Sequence, residues 1–140
     1  NKNRAASSIR TVLQKSGGRL GESGSATHLF SNCGIIQFEK NRISEEEAFE
    51  IAINGGAKDC VNLDSSFEII TKKEDFYKIK TLFENKIDTF LYTAVEWRAF
   101  NYLDLEKEQS DKIVDTLSAL EELDDVQNIF TNANLEKIQI

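Results

Sequence analysis

Residues 33–71 read CGIIQFEKNRISEEEAFEIAINGGAKDCVNLDSSFEIIT. Cys33–Glu39 alternates Ile36 and Phe38 against Gln37 and Glu39, the period of two that a strand with one buried face requires. Ser44 with Glu47 three residues later is a capping box, and it predicts a helix through about Asn54 with Ala48, Ile51 and Ala52 inward. Gly55-Gly56 ends it. Two strands follow at Asp59–Leu63 and Phe67–Thr71, joined by a turn at Asp64-Ser65-Ser66. Further along, Thr71 with Glu74 repeats the capping pattern ahead of a helix to about Asn85, with Phe76, Ile79, Leu82 and Phe83 on one side. A strand at Asp88–Arg98 then sets Leu91, Thr93, Val95 and Trp97 against Phe90, Tyr92 and Ala94. Residues 33–98 thus read β-α-β-β-α-β, the ferredoxin-like split βαβ order, in which two helices cover one face of a four-stranded antiparallel sheet.

The flanks follow the same grammar. Ala5, Ala6, Ile9, Val12 and Leu13 recur at helical spacing over residues 4–16, with Gly17-Gly18 as the stop. A strand is expected at Ala26–Ser31. After the insert come a short strand (Phe100–Leu103), a helix at about 108–123 carrying Ile113, Val114, Leu117, Leu120 and Leu123, and a strand at Val126–Thr131. Asp124-Asp125 are expected to mark a tight helix-to-strand turn, their carboxylates bonded to nearby backbone N–H groups. Joined across the insert, the flanks read α-β-β-α-β, a second ferredoxin-like unit without its first strand. The fold class expected is therefore α+β, with residues 33–98 inserted into a discontinuous domain of residues 1–32 and 99–140. The chain has no Met, and we read it as a fragment whose missing strand lies upstream.

Charge is unevenly spread along the chain. The net charge is −7, yet Lys2, Arg4, Arg10, Lys15 and Arg19 are met by no acid in the first twenty residues, and the remainder carries −12. An acidic body with one basic end would engage a polyanion through that end only. Lys2, Arg4, Arg10, Lys15 and Arg19 are accordingly the candidate phosphate contacts. The acidic face suits a basic protein partner. No apolar run reaches the ~18 residues of a membrane helix, and no signal peptide opens the chain. Two cysteines, Cys33 and Cys60, are too few for a disulfide scaffold and fit no zinc spacing, so reduced thiols without function are expected.

Other features resolve to structure. Gly17-Gly18-x-x-Gly21-x-x-Gly24 follows a helix, whereas phosphate loops run from a strand into a helix. His28, the only histidine, has no nucleophile motif around it and reads as a packing or surface residue. Glu121-Glu122 and Asp124-Asp125 lack the spacing of a calcium loop. Trp97, Phe100 and Tyr102 could stack on nucleotides, although alternation places Trp97 in the core. Nothing here makes an acid–base pair, a metal cluster or an activated nucleophile, so neither catalysis, a metal nor a cofactor is expected.

Three stretches resemble the YebC/PmpR family, which includes mitochondrial translational activators. They are Asn1-Lys2-Asn3-Arg4 with Ile9-Arg10; Lys15-Ser16-Gly17-Gly18-x-x-Gly21-x-x-Gly24-Ser25 with Leu29-Phe30 and Gly34; and Leu120-Glu121-x-x-Asp124-Asp125-Val126-Gln127-Asn128 with Asn132. Their order and spacing span the whole chain. Ala5, Ala26, His28 and Ala99 depart from the family pattern, but none of these departures removes a base. The resemblance implies a three-domain protein whose N-terminal helical domain is absent here. It also implies a non-catalytic regulator of gene expression, acting as a DNA-binding transcriptional regulator or as a ribosome-associated factor. We expect ribosomal RNA or the ribosome over promoter DNA, because an acidic body with one basic end suits a large mixed surface better than naked duplex. The expected compartment is the bacterial cytosol, or the mitochondrial matrix if the protein is organellar. A small-molecule-sensing regulatory domain is the rival, since paired ferredoxin-like units also form ligand sensors.

Overall fold

The computed structural model describes residues 1–135. The chain divides into two compact units, Asn1–Ser31 with the chain from Arg98 onward, and Asn32–Trp97. Its elements are α1 (Lys2–Lys15), β1 (Phe30–Glu39), α2 (Glu45–Gly55), β2 (Asp59–Asn62), β3 (Ser66–Lys72), α3 (Phe76–Glu84), β4 (Tyr92–Ala99) and α4 (Lys107–Glu121). The class is α+β.

In the unit Asn32–Trp97 the strands lie in the order β2-β3-β1-β4, the arrangement of a split βαβ unit. β3 pairs antiparallel with both β1 and β2. Ile36 and Phe38 of β1 meet Phe67 and Ile69 of β3, Ala48 and Ala52 of α2, and Phe76, Ile79 and Phe83 of α3 in one buried cluster. Helix α2 starts as its capping box dictates: the Ser44 hydroxyl accepts from the Glu47 N–H at 3.1 Å, with Glu45, Glu46 and Glu47 in the first turn, where the helix dipole favours acids. It stops at Gly56, which takes φ +81°, a conformation that glycine adopts without a Cβ clash.

Several expected elements differ. The second capping box does not form. Thr71 is fully buried in β3, opposite Gly34 of β1, and its hydroxyl donates to the Lys72 carbonyl at 2.8 Å, so α3 is entered through a 3-10 turn at Lys73–Asp75 instead. The strand expected at Ala26–Ser31 is a turn and a 3-10 segment (Thr27–Leu29), because Thr27 closes on the Gly24 carbonyl with both its N–H and its hydroxyl. β1 then runs unbroken from Phe30. β4 begins at Tyr92 rather than Asp88, the chain before it being anchored by buried Ile87.

The strands expected at Phe100–Leu103 and Val126–Thr131 are reduced to one parallel bridge, Leu103 with Ala133. The Leu103 N–H donates to the Asn132 carbonyl at 2.7 Å and the Asn134 N–H to the Leu103 carbonyl at 2.8 Å. Val126 cannot join a ladder there, because its N–H is committed to the Leu123 carbonyl in the turn after α4. Val126 and Ile129 are half-buried, and Phe130 is exposed. Within this unit α4 packs on α1, and among the described residues Ala133 is its only buried hydrophobic side chain.

Gly34 shows how tightly the inserted unit is built. A Cβ there would lie 2.5 Å from Phe76 Cδ1 and 2.8 Å from Phe76 Cβ, and would also strike the Thr71 hydroxyl. Gly34→Ala should therefore destabilise the protein by about 1–3 kcal/mol through overpacking. The check is a lower denaturant midpoint at unchanged slope.

Candidate nucleic-acid interface

Helix α1 carries four of the five bases singled out from the sequence. Its start is fixed by Asn1, whose side-chain oxygen accepts from the N–H groups of Asn3 at 3.0 Å and Arg4 at 3.2 Å, the usual work of an N-cap. Its end is fixed at Gly17, φ +81°, where the Gly17 and Gly18 N–H groups close on the Gln14 and Leu13 carbonyls. Arg19 lies beyond, in an exposed stretch. All five bases are exposed.

They do not share one face. At about 100° per residue, Arg4 and Lys15 fall within about 20° of each other and about 16 Å apart along the axis. They flank the apolar stripe of Ala5, Ile9, Val12 and Leu13 on one side. Arg10 flanks it on the other, and Lys2 sits in the first turn.

Arg4 is already engaged. Its Nε and Nη2 donate to the two carboxylate oxygens of Asp125 at 3.0 and 2.8 Å, a bidentate fork across 121 positions of sequence. The Arg4 side chain remains 65% exposed, against 26% for Asp125. Hydrogen bonding to Arg4 pulls the Asp125 carboxyl below its ordinary range, and the same bond raises the Arg4 guanidinium further. The Asp125 carboxylate thus bonds to Arg4 and not, as expected from sequence, to the backbone of its own turn. The pair borders a cleft of about 310 Å³ whose apolar wall includes Ala5, Ile9, Leu123 and Val126.

Packing adds a base that sequence reasoning missed. A Cβ on Gly17 would lie 3.5 Å from the Lys112 Nζ, so this ammonium from α4 sits beside the glycine that follows α1. A cation there is favoured by the helix dipole. In the sequence Lys112 stands between acids on a different helix, and no local pattern announces it.

Phe100 and Tyr102 are 64% and 51% exposed, as stacking would require. In the other unit, Trp97 is 37% exposed and not in the core as alternation suggested. Its strand leaves that side chain half-covered. His28 is exposed in the 3-10 turn. Neither cysteine is in a disulfide. Burial, and then the nearby Asp59 and Glu45 carboxylates, push the Cys60 thiol up, which keeps it protonated and unreactive near neutral pH. Among the described residues no three His, Cys, Asp or Glu side chains are grouped to hold a metal, and no helix is long and apolar enough to cross a membrane.

Fold and surface define an α+β protein with a ferredoxin-like insert and a basic helix on its other unit. The family described as the TACO1/YebC second and third domain matches residues 1–133, and the chain belongs to that family. It is 41% identical over 136 residues to a protein of Pelagibacter ubique, covering 97% of this chain and 56% of the relative. It is 38% identical over 138 residues to one of Rickettsia typhi, covering 98% and 55%. Both carry the name "probable transcriptional regulatory protein". The crystal structure of the conserved hypothetical protein Aq1575 from Aquifex aeolicus superposes with a TM-score of 0.77 at 34% identity, over 96% of this chain and 56% of that one. The chain thus spans a little over half the length of these relatives.

The Arg4–Asp125 fork makes stability depend on pH with a definite sign. The folded carboxyl lies below its unfolded value, so its contribution is present above the ordinary carboxylate range and is lost as pH falls through the folded value. Asp125→Asn should therefore lower stability at neutral pH, and the gap to the parent protein should close on acidification. Unfolding midpoints of both proteins across pH check this. A gap that stays constant down to strongly acid pH would mean the fork contributes nothing.

Proposed function

We propose that this chain belongs to a non-catalytic regulator of gene expression that binds nucleic acid through α1 and the loop after it. Ribosomal RNA or the ribosome is the target. The single observation that carries this reading is the charge division: five exposed bases without an acid in the first twenty residues, on a chain of net charge −7. Exposed Phe100 and Tyr102 on the same unit, and Lys112 at the end of α1, support it. Lys2, Arg10, Lys15 and Arg19 supply phosphate contacts directly, and Arg4 does so with the donors its fork leaves over. A guanidinium has five N–H donors, and the fork uses two. The setting is the cytosol of a bacterium, or the mitochondrial matrix for an organellar protein.

DNA-bound transcriptional regulation is the second reading, favoured by the names of the Pelagibacter and Rickettsia relatives. Crosslinking of the full-length protein in cells, followed by sequencing of the bound RNA and DNA, separates the two. Enrichment of ribosomal RNA supports the first, and enrichment of promoter DNA replaces it with the second.

Binding of this chain to duplex should fall steeply with salt, with a log–log slope of roughly −3 to −4 for about three to five phosphate contacts. Lys15→Ala or Arg19→Ala should each reduce the slope by about 1. Arg4→Ala should change it less, because its guanidinium is already paired. Fluorescence anisotropy across a salt series reads all three, and a flat salt response would exclude α1 as an electrostatic site.

A further inference from the structure

On α4, a groove of about 580 Å³ runs beside Leu135. Its lining combines apolar Val114, Leu117 and Leu135 with acidic Asp111, Asp115 and Glu121. Val114 is 37% exposed. From Asp111 to Glu121 the acids extend about 15 Å along the helix. Lys112, the nearest base in sequence, is turned away to the end of α1.

These acids are not where the helix itself favours them. Asp111 and Asp115 are like charges at i, i+4, which repel on a helix surface. Glu121 lies at the C-terminal end of α4, whose last turn holds no base, and there the dipole disfavours a negative charge. None of the salt bridges among the described residues uses Asp111, Asp115 or Glu121. Three carboxylates in no salt bridge among the described residues, beside apolar Val114, Leu117 and Leu135, make a surface complementary to a chain that alternates cations with apolar side chains.

We propose that this groove is a docking site for a basic protein segment, an amphipathic stretch that lays Leu-like side chains on Val114, Leu117 and Leu135 and sets Lys or Arg against Asp111, Asp115 and Glu121. The proposal stands apart from the nucleic-acid reading, because carboxylates line the groove and would repel phosphate, and because the groove lies on α4 rather than on the base-bearing α1. Together the two sites would let one unit hold the nucleic-acid and the protein components of a mixed particle.

The test uses the whole chain and a labelled synthetic helical peptide of Lys and Leu at i, i+3 and i+4 spacing, read by fluorescence anisotropy at physiological salt. Two control peptides replace every Leu by Ser or every Lys by Glu. The parent protein should bind the Lys/Leu peptide at least tenfold more tightly than either control. The triple variant Asp111→Asn, Asp115→Asn, Glu121→Gln keeps side-chain shape and should weaken binding tenfold or more, with no loss of thermal stability. Removing the same charge elsewhere, with Glu46→Gln, Glu50→Gln and Glu84→Gln, should change binding less than twofold. Equal weakening by both triple variants would reduce the effect to net charge and overturn the proposal, as would binding of the Ser control as tight as that of the Lys/Leu peptide. Tighter peptide binding by a chain ending at Leu135 would assign the groove to residues 136–140 and overturn it too.

Discussion

Phe38 is the side chain on which the inserted unit depends. Its ring lies 5.1 Å from that of Phe83, 5.7 Å from Phe67 and 6.5 Å from Phe90, so a single residue of β1 ties β3, α3 and the approach to β4 together. Truncating so buried a phenylalanine typically costs about 3–5 kcal/mol, a large share of the roughly 5–15 kcal/mol by which domains are stable. The register follows from it. With Phe38 opposite Phe67, Gly34 falls opposite Thr71, and only a residue without a side chain can pass Phe76 there.

The other unit is held by different means. Its helices bury little, Ser110 and Thr116 being the buried residues of α4 and none being buried in α1. Polar contacts mark both ends of the α1–α4 pair: the Arg4–Asp125 fork at one and the Lys112 ammonium beside Gly17 at the other. Charge is unevenly placed in this unit. Bases lie along α1 and just beyond it, while Asp111, Asp115 and Glu121 of α4 line a groove together with Val114, Leu117 and Leu135.

The sequence by itself determined the inserted unit. Period-two alternation in Cys33–Glu39, the Ser44–Glu47 box and the Gly55-Gly56 stop are local signals, and each acts within a few residues of the backbone it shapes. It also determined where the positive charge lies. Where one local signal was misleading, another contact had overridden it, the sheet in the case of Thr71 and a competing local turn in the cases of Thr27 and Val126. Thr71 resembles a helix cap but is buried in β3. Thr27 sits in an apparent strand but closes a turn on Gly24. Val126 belongs by pattern to a final strand, yet gives its N–H to Leu123. Only the tertiary structure decided that Arg4 is spoken for by Asp125, that Lys112 sits beside the glycine that follows α1, and that acids of α4 line a groove together with apolar side chains. Periodicity encodes an element because neighbouring residues share one backbone. The pairing of two charges 121 residues apart is fixed only once the helices that carry them have packed.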